Sequence, residues 1–122
     1  MRMRIKLVAL SVVCLLSGCA TAYQPDGASG GYSERRLNDN VEQVSFRGNM
    51  FSTPETLQSY LLRRCAEVTV QNGYNYFVVV NTGTPSEGSS VVIATIKMFK
   101  GRETASRGHA YDAAAVIKRT PV

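Results

Sequence analysis

The side chains of this 122-residue chain that are best suited to covalent chemistry are the thiols of Cys14, Cys19 and Cys65 and the imidazole of His109. Nucleophilic catalysis needs a nucleophile, a general base and a group that orients the base. His109 is the single histidine and lies in a segment rich in glycine, arginine and serine. Because Cys65 falls on the apolar face of a predicted helix, we do not expect the two groups to meet. We therefore predict no catalytic residue.

Metal and cofactor binding also lack their usual residue patterns. A zinc site needs three or four ligands at compact spacing, and the sequence has no such cluster of histidine, cysteine and acidic residues. Asp26, Asp39 and Asp112 are scattered along the chain. No glycine-rich loop leads from a predicted strand into a helix with the lysine of a phosphate-binding loop. We predict no metal site, no cofactor and no enzymatic activity.

Cys19 differs from the other two cysteines because of the residues that precede it. Residues 1–6 include three basic side chains, and residues 7–16 form an apolar run that small residues follow. This order is typical of a secretory signal peptide. The apolar run has about half of the roughly 20 residues that a helix needs to cross a bilayer. We therefore interpret residues 1–18 as a targeting signal and not as a transmembrane helix.

The run Leu16-Ser17-Gly18-Cys19 resembles the lipobox of bacterial lipoproteins. The resemblance implies cleavage between Gly18 and Cys19, a diacylglycerol on the Cys19 sulfur, and a further fatty acyl group such as palmitate on the new amino terminus. A thiolate is the strong nucleophile that thioether formation requires. Two or three acyl chains hold a protein on a membrane far more firmly than one chain does. The predicted membrane contact is therefore the covalent lipid on Cys19.

Two alternatives stay open at the processing site. Ala20-Thr21-Ala22 fits the small-x-small pattern of ordinary signal cleavage, which would release a soluble protein that begins at Tyr23. The residue after Cys19 is alanine and not aspartate. By resemblance to bacterial sorting rules, this implies the outer membrane, with the domain facing the periplasm. Anchoring in the inner membrane is the alternative.

Processing changes the charge and the thiol content of the chain. The full chain has a formal net charge of +5, but removal of Arg2, Arg4 and Lys6 leaves 11 basic and 9 acidic side chains, a net charge of +2. No basic tract remains, so we predict no nucleic-acid partner. With Cys14 removed and Cys19 lipidated, Cys65 has no partner for an intrachain disulfide. We expect its thiol to be buried, because an exposed thiol is a liability in an oxidising compartment.

The segment after the second predicted strand has the pattern of an amphipathic helix. Ser52 and Glu55 have the spacing of a capping box, and Thr53 is the alternative cap. The pair Asn72-Gly73 predicts the helix end, with Gly73 in a left-handed conformation. Apolar residues recur at spacings of four, four and three along one helix face: Leu57, Leu61, Cys65 and Val68.

The remaining pattern predicts strands on both sides of this helix. Strands are expected at residues 32–37 and 41–48, where Val44 and Phe46 alternate with polar residues. The apolar run at residues 75–81 predicts a central strand, and residues 91–100 alternate like a half-buried strand. Residues 110–118 predict a short helix, with an edge strand as the alternative.

These elements predict an α+β fold with the order ββαββ. The four-stranded sheet, antiparallel or mixed, is covered on one face by one amphipathic helix. The crossover either pairs the second and third strands or leaves a place between them. We divide the chain into a signal peptide (residues 1–18), a lipidated N-terminus with a flexible tether (residues 19–31) and a single small globular domain (residues 32–122).

Four short motifs occur in order between Gly31 and Phe77: Gly31-Tyr32-Ser33, Val44-Ser45-Phe46-Arg47-Gly48-Asn49, Tyr60-Leu61-Leu62-Arg63-Arg64-Cys65-Ala66-Glu67 and Gly73-Tyr74-Asn75-Tyr76-Phe77. Together they resemble a family of small Gram-negative envelope lipoproteins of uncharacterised function. The resemblance implies no activity, no cofactor and no catalytic residue. Cys65 stands where that family usually has a small residue such as alanine, which implies a packing role for this thiol.

Arg47, Arg63 and Arg64 are the candidate contacts for an anionic partner, and a solvated strand edge and helix face are the alternative interpretation. Together these observations predict a lipid-anchored, non-enzymatic envelope module that faces the periplasm and binds or scaffolds. An accessory domain that binds anionic lipid or cell-wall glycan is the alternative, and a thiol-based redox or hydrolytic protein is less favoured. The expected partners are the membrane and an envelope protein, lipid or peptidoglycan.

Overall fold

The computed structural model describes residues 22–84, 89–101 and 109–122. The elements follow one another as β1 (Gly31–Asn38), β2 (Val41–Arg47), α1 (Pro54–Gln71), β3 (Tyr76–Gly83), β4 (Val91–Phe99), β5 (Tyr111–Asp112) and α2 (Ala113–Arg119). This confirms the predicted α+β class. All pairings in the sheet are antiparallel, and the strand order is β1-β2-β4-β3-β5. The predicted signal peptide, the cleavage site at Gly18 and Cys19 and the lipidation of Cys19 lie outside the described residues.

The centre of the sheet is β4, and the strand predicted as central, at residues 75–81, is β3, which lies one position from the centre. The crossover through α1 leaves one position between β2 and β3, and β4 fills it by pairing with both strands. On its other side β3 pairs, among the described residues, with the two-residue strand β5. Of the residues in β3 only Phe77 is fully buried, and Val80 is 56 % exposed. The sheet therefore has a fifth strand, and the apolar run lies near its edge.

Helix α1 begins and ends close to the predicted positions. Its N-cap is Thr53, whose hydroxyl accepts a hydrogen bond from the Thr56 amide at 3.2 Å. The prediction of Ser52 as the cap is wrong. Its hydroxyl instead accepts a hydrogen bond from the Asn49 amide at 2.8 Å in the preceding turn. Gly73 follows the helix with a φ of +82°, as its predicted left-handed role requires.

Both helices pack on the same face of the sheet, and the core lies between these two layers. The inward residues of β2 and β4 alternate with partly exposed ones, which confirms the pattern of period two in both strands. Cys65 is 1 % exposed within this core, as predicted. The largest fully buried side chains are Phe46, Phe77, Ile96, Met98, Val44, Val68 and Val116.

Residues 110–118 contain both a short strand and a helix, the two elements that the sequence predicts as alternatives. Tyr111 and Asp112 pair with Phe77 and Tyr76 as β5, and the favoured helix follows directly as α2. The Asp112 carboxylate caps this helix by accepting a hydrogen bond from the Ala115 amide at 3.3 Å. The Tyr111 ring stacks on Phe77 with a centroid distance of 5.0 Å. This contact ties the end of the chain to the core.

Candidate functional site

The structure places the three candidate arginines at two locations and gives each an acceptor within the chain. Arg47 lies at the end of β2, far in sequence from the other two. Its guanidinium forms an ion pair with the Asp26 carboxylate at 3.0 Å and donates a hydrogen bond to the Gly27 carbonyl. Arg47 therefore fastens the segment before β1 to the sheet.

Arg64 lies on α1 and is only 8 % exposed. Its guanidinium pairs with Glu34 at 2.5 Å and Glu67 at 3.3 Å, and it lies 3.8 Å from the centroid of the Tyr32 ring. Burial alone would lower the pKa of Arg64, but the hydrogen bond and the charge of Glu34, together with Glu67, raise it above its usual value. This arginine stays charged and holds α1 against β1.

Arg63 connects the two helices. It pairs with Glu67 at 3.2 Å and donates hydrogen bonds to the carbonyls of Ile117 at 3.0 Å and Thr120 at 2.5 Å. Those carbonyls belong to the C-terminal turn of α2, where helix carbonyls have no partner within the helix and favour a cation. Arg63 thus caps α2 from α1. All three arginines hold parts of the fold together, so an anionic partner would have to compete with bonds that already exist.

Tyr23 fastens the N-terminal segment to the domain. Its ring lies 5.2 Å from Tyr32, 5.9 Å from Phe46 and 5.4 Å from Tyr60, measured between centroids. Its hydroxyl donates a hydrogen bond to the Glu67 carboxylate. Burial and the neighbouring Glu67 charge raise the pKa of Tyr23 above its usual value. This residue falls in the predicted flexible tether, but its contacts join the domain.

The rest of that segment follows Tyr23 onto the sheet. The Tyr32 amide donates to the Gln24 carbonyl, and the Asp26 amide donates to the Tyr32 carbonyl, both at 2.9 Å. Gly30 and Gly31 have φ angles of +106° and +137°, and a Cβ at either position would lie 2.3 or 2.4 Å from a backbone oxygen. These glycines therefore permit close backbone packing. The sequence predicts a flexible tether at residues 19–31, but in the structure residues 23–31 are held against the domain.

An apolar cleft of about 440 Å³ opens between the two helices and the sheet. Its size is within the range of small-ligand pockets. Gln58 and Ser59 lie exposed on the α1 side, and Thr82 lies exposed on the β3 side. The other lining residues come from α1, three strands and the residue that follows α2: Leu61, Leu62, Cys65, Val79, Ala94, Tyr111 and Thr120. This cleft is the candidate functional site, because it joins an apolar interior to an uncharged polar rim.

Cys65 contributes to the cleft, but its environment does not activate the thiol. Burial raises the pKa of Cys65 to about 12, so the thiol stays neutral at physiological pH. His109 is not among the residues that line this cleft, and it lies with Asp112 and Arg119 beside a separate depression. The structure therefore does not bring the single imidazole and the buried thiol together.

The part of the chain that the structure describes has neither a cluster of metal ligands nor a membrane-spanning helix. Across residues 22–84, 89–101 and 109–122, no group of three or more histidine, cysteine, aspartate and glutamate side chains is placed to hold a metal ion. In the same ranges, no helix has both the length and the apolar character needed to cross a membrane. No protein-family model, curated protein or solved structure matches the chain.

Sequence reasoning missed both the cleft and the role of Tyr23. The cleft combines residues that are up to 62 positions apart, from Gln58 to Thr120, and no local pattern links them. Tyr23 had one signal that could have identified it, since an aromatic residue in a polar, glycine-rich stretch tends to find an apolar partner. The three arginines were the most visible feature in sequence. Glu67 is a local acceptor for Arg63 and Arg64, but their other acceptors and those of Arg47 lie elsewhere in the chain.

Proposed function

We propose that the protein is a lipoprotein of the Gram-negative envelope, anchored to the outer membrane through Cys19, whose domain faces the periplasm as a non-enzymatic binding or scaffolding module. The observation that carries this proposal is the run Leu16-Ser17-Gly18-Cys19 directly after a ten-residue apolar segment. The resemblance to small envelope lipoproteins agrees with it. Inner-membrane anchoring remains the alternative location.

The docking of Tyr23 supports a domain that is held close to the lipid surface. Four residue steps separate Cys19 from Tyr23, so an extended chain between their Cα atoms spans at most about 14 Å. Tyr23 itself packs on Phe46 and Tyr60. The domain would therefore stay beside the headgroups and would have little freedom to reach across the periplasm.

The apolar cleft supports a binding role over a catalytic one. Its described lining residues include Leu61, Leu62 and Val79 but no charged side chain, and its thiol is neutral. The alternative of an anionic lipid or glycan held by Arg47, Arg63 and Arg64 is less well supported, because each of these guanidiniums already binds acceptors of the chain.

Membrane fractionation of cells that express the full chain tests the anchor. The wild-type protein should sediment with membranes and resist extraction by salt or carbonate. The Cys19→Ala protein should carry no lipid and should lose this attachment to membranes. Cys65→Ala is the matched control, since it also removes one thiol and should stay on the membrane. Ala20→Asp should move the protein from outer-membrane to inner-membrane fractions. A Cys19→Ala protein that stays on membranes exactly as the wild type does would contradict the proposal.

A further inference from the structure

The turn between β2 and α1 presents two neighbouring apolar side chains to solvent. Met50 is 88 % exposed and Phe51 is 60 % exposed. The other large apolar side chains that are exposed in the described ranges stand singly: Leu37, Val70, Val80 and Val122. Single exposed apolar residues are ordinary, whereas adjoining ones are a feature of surfaces that contact proteins or membranes. Residues 49–52, which we term the apolar turn, therefore need an explanation.

The backbone of the apolar turn is held by hydrogen bonds. The Ser52 amide donates to the Asn49 carbonyl at 3.0 Å, the bond of a β-turn, and the Phe51 amide donates to the Asn49 side chain at 2.9 Å. Met50 and Phe51 are the two central residues of this turn, where glycine, proline, asparagine, aspartate or serine is usual. The turn between β1 and β2 follows that rule with Asn38-Asp39-Asn40. The apolar pair is thus an exception within the same protein.

The apolar turn lies at the end of the sheet where the chain enters the domain. Arg47, the last residue of β2, pairs with Gly31 at the start of β1, and the turn begins two residues later. The Asn49 side chain donates a hydrogen bond to the Ser29 carbonyl at 3.3 Å. The turn is therefore bonded to the N-terminal segment that leads back to Cys19.

The reach of the proposed anchor favours the same end of the domain. Cys19 lies at most about 14 Å from Tyr23 along an extended chain, and the Tyr23 ring packs on Phe46 at a centroid distance of 5.9 Å. The chain from Phe46 to Met50 has the same number of steps, so Met50 also lies within about 14 Å of Phe46. Leu37 lies near the opposite end of β1, about 20 Å from the start of that strand. A bilayer that holds Cys19 would therefore adjoin the apolar turn more readily than the far end.

The charges around the apolar turn do not oppose contact with lipid headgroups. Residues 48–53 contain no charged side chain. The flanking charges, Arg47 and Glu55, have opposite signs, and Arg47 pairs with Asp26 at 3.0 Å. Apolar and aromatic side chains of a peripheral protein settle at the boundary between headgroups and acyl chains. A protruding turn also needs no matching pocket when its partner is a fluid lipid surface.

From these observations we propose that the apolar turn is a second membrane contact, at which Met50 and Phe51 insert into the headgroup region of the phospholipid bilayer that holds Cys19. Two side chains bind a bilayer weakly by themselves, but the anchor makes their contact intramolecular and raises their effective concentration at the surface. The anchor attaches the protein, and the turn orients it, so that the starts of β1 and α1 face the lipid. This inference rests on the lipid anchor proposed above.

Tryptophan fluorescence of the lipidated protein in vesicles tests this orientation. The chain contains no tryptophan, so a single introduced indole reports its own surroundings. Phe51→Trp is compared with Leu37→Trp, a control position that is 47 % exposed at the opposite end of β1. Both proteins are purified from cell membranes and reconstituted into vesicles of phosphatidylethanolamine and phosphatidylglycerol, with and without brominated acyl chains. We expect bromine to quench the emission of Phe51→Trp about twofold and to leave Leu37→Trp unchanged.

A second variant separates the native turn from the reporter, because tryptophan itself favours the membrane interface. Met50→Asp, combined with Phe51→Trp, adds a charge that should hold the turn in water and abolish the quenching by bromine. The protein should still float with the vesicles through Cys19. Quenching that survives Met50→Asp would show that the introduced indole and not the native turn seeks the lipid, and would overturn the proposal.

The remaining outcomes distinguish the turn from the anchor. Equal quenching of Phe51→Trp and Leu37→Trp by bromine, or quenching of neither, would overturn the proposal. So would protection of Phe51→Trp from iodide on both sides of the bilayer without quenching by bromine, because a second copy of the chain would then cover the turn. Flotation of the same samples reports the anchor separately. Proteins that do not float would contradict attachment through Cys19, and this inference would fall with it.

Discussion

Replacing Tyr23 with alanine removes the ring that fastens the N-terminal segment to the domain. The ring contacts Tyr32, Phe46 and Tyr60 at centroid distances between 5.2 and 5.9 Å, and the hydroxyl bonds to Glu67. Aromatic pairs contribute about 0.5–1.5 kcal/mol each, and a hydrogen bond contributes about 1 kcal/mol. Because Tyr23 is only half-buried, we expect Tyr23→Ala to lower the free energy of unfolding by about 3 kcal/mol.

The magnitude can be divided between the ring and the hydroxyl. Tyr23→Phe keeps the ring contacts and should cost about 1 kcal/mol, the contribution of the lost hydrogen bond. Phe51→Ala is a matched control, because Phe51 is 60 % exposed and its loss should change stability by less than about 0.5 kcal/mol.

Urea unfolding followed by circular dichroism measures these differences in the free energy of unfolding. Limited proteolysis adds a local measurement, since release of Tyr23 should expose residues 24–30 to cleavage before the domain unfolds. If Tyr23→Ala unfolds within about 0.5 kcal/mol of the wild type, like the control, and shows no new cleavage there, the docking of this segment is wrong.

Arg64→Ala should lower the free energy of unfolding by about 3 kcal/mol, because Glu34 and Glu67 would lose a shared buried cation. Arg35→Ala, at an exposed position, should lower it by less than about 0.5 kcal/mol. Equal losses of the two variants in urea titrations would contradict this prediction. Burial raises the pKa of the Cys65 thiol from 9.0 to about 12, so the unfolded chain loses this proton at a lower pH than the folded protein does. The free energy of unfolding should therefore keep its full value below pH 9 and fall as pH rises toward 12. In Cys65→Ala the fall in the free energy of unfolding between pH 9 and 12 should be smaller by the part that this thiol causes. An equal fall in the variant and the wild type would show that the thiol is not its cause. Alkylation of Cys65 should follow global unfolding, and rapid alkylation of the native protein would refute its burial.

The parts of the fold that followed from sequence are those that local pattern specifies. Helix α1 has an apolar face at helical spacing, a Thr53 cap within one residue of the preferred one, and Gly73 at its end. Strands β2 and β4 alternate because one face meets the helices and the other meets solvent. Such signals need no knowledge of distant residues.

The position of β3 needed knowledge that sequence does not carry. A continuous apolar run is typical of a strand buried on both faces, but here the run ends near the edge of the sheet. Strand order depends on which strand fills the position that the crossover leaves. Both β3 and β4 contain enough β-branched residues to be predicted as the central strand. The run is better explained by the apolar cleft, which Val79 lines, than by a position at the centre of the sheet.

The candidate site was predictable only in part. Arg47, Arg63 and Arg64 were visible as charges, but charge alone does not reveal whether an acceptor exists within the chain. Arg63 and Arg64 share the local acceptor Glu67, but the other acceptors lie on a preceding segment, at the end of another helix and on β1. A glycine-rich segment can be either a flexible tether or a place where two backbones pack closely. The sequence predicts a tether, but Gly30 and Gly31 allow close backbone packing. Tertiary contacts decided both cases.

The most direct test of the central claim is the mass of the mature N-terminal peptide from protein purified out of cell membranes. We predict a peptide that begins at Cys19 and carries a diacylglyceryl group on sulfur and a fatty acyl group on its amino terminus. Cys65 should carry no lipid in the same sample. A mature chain that begins at Tyr23, or a Cys19 without lipid, would contradict the lipoprotein assignment.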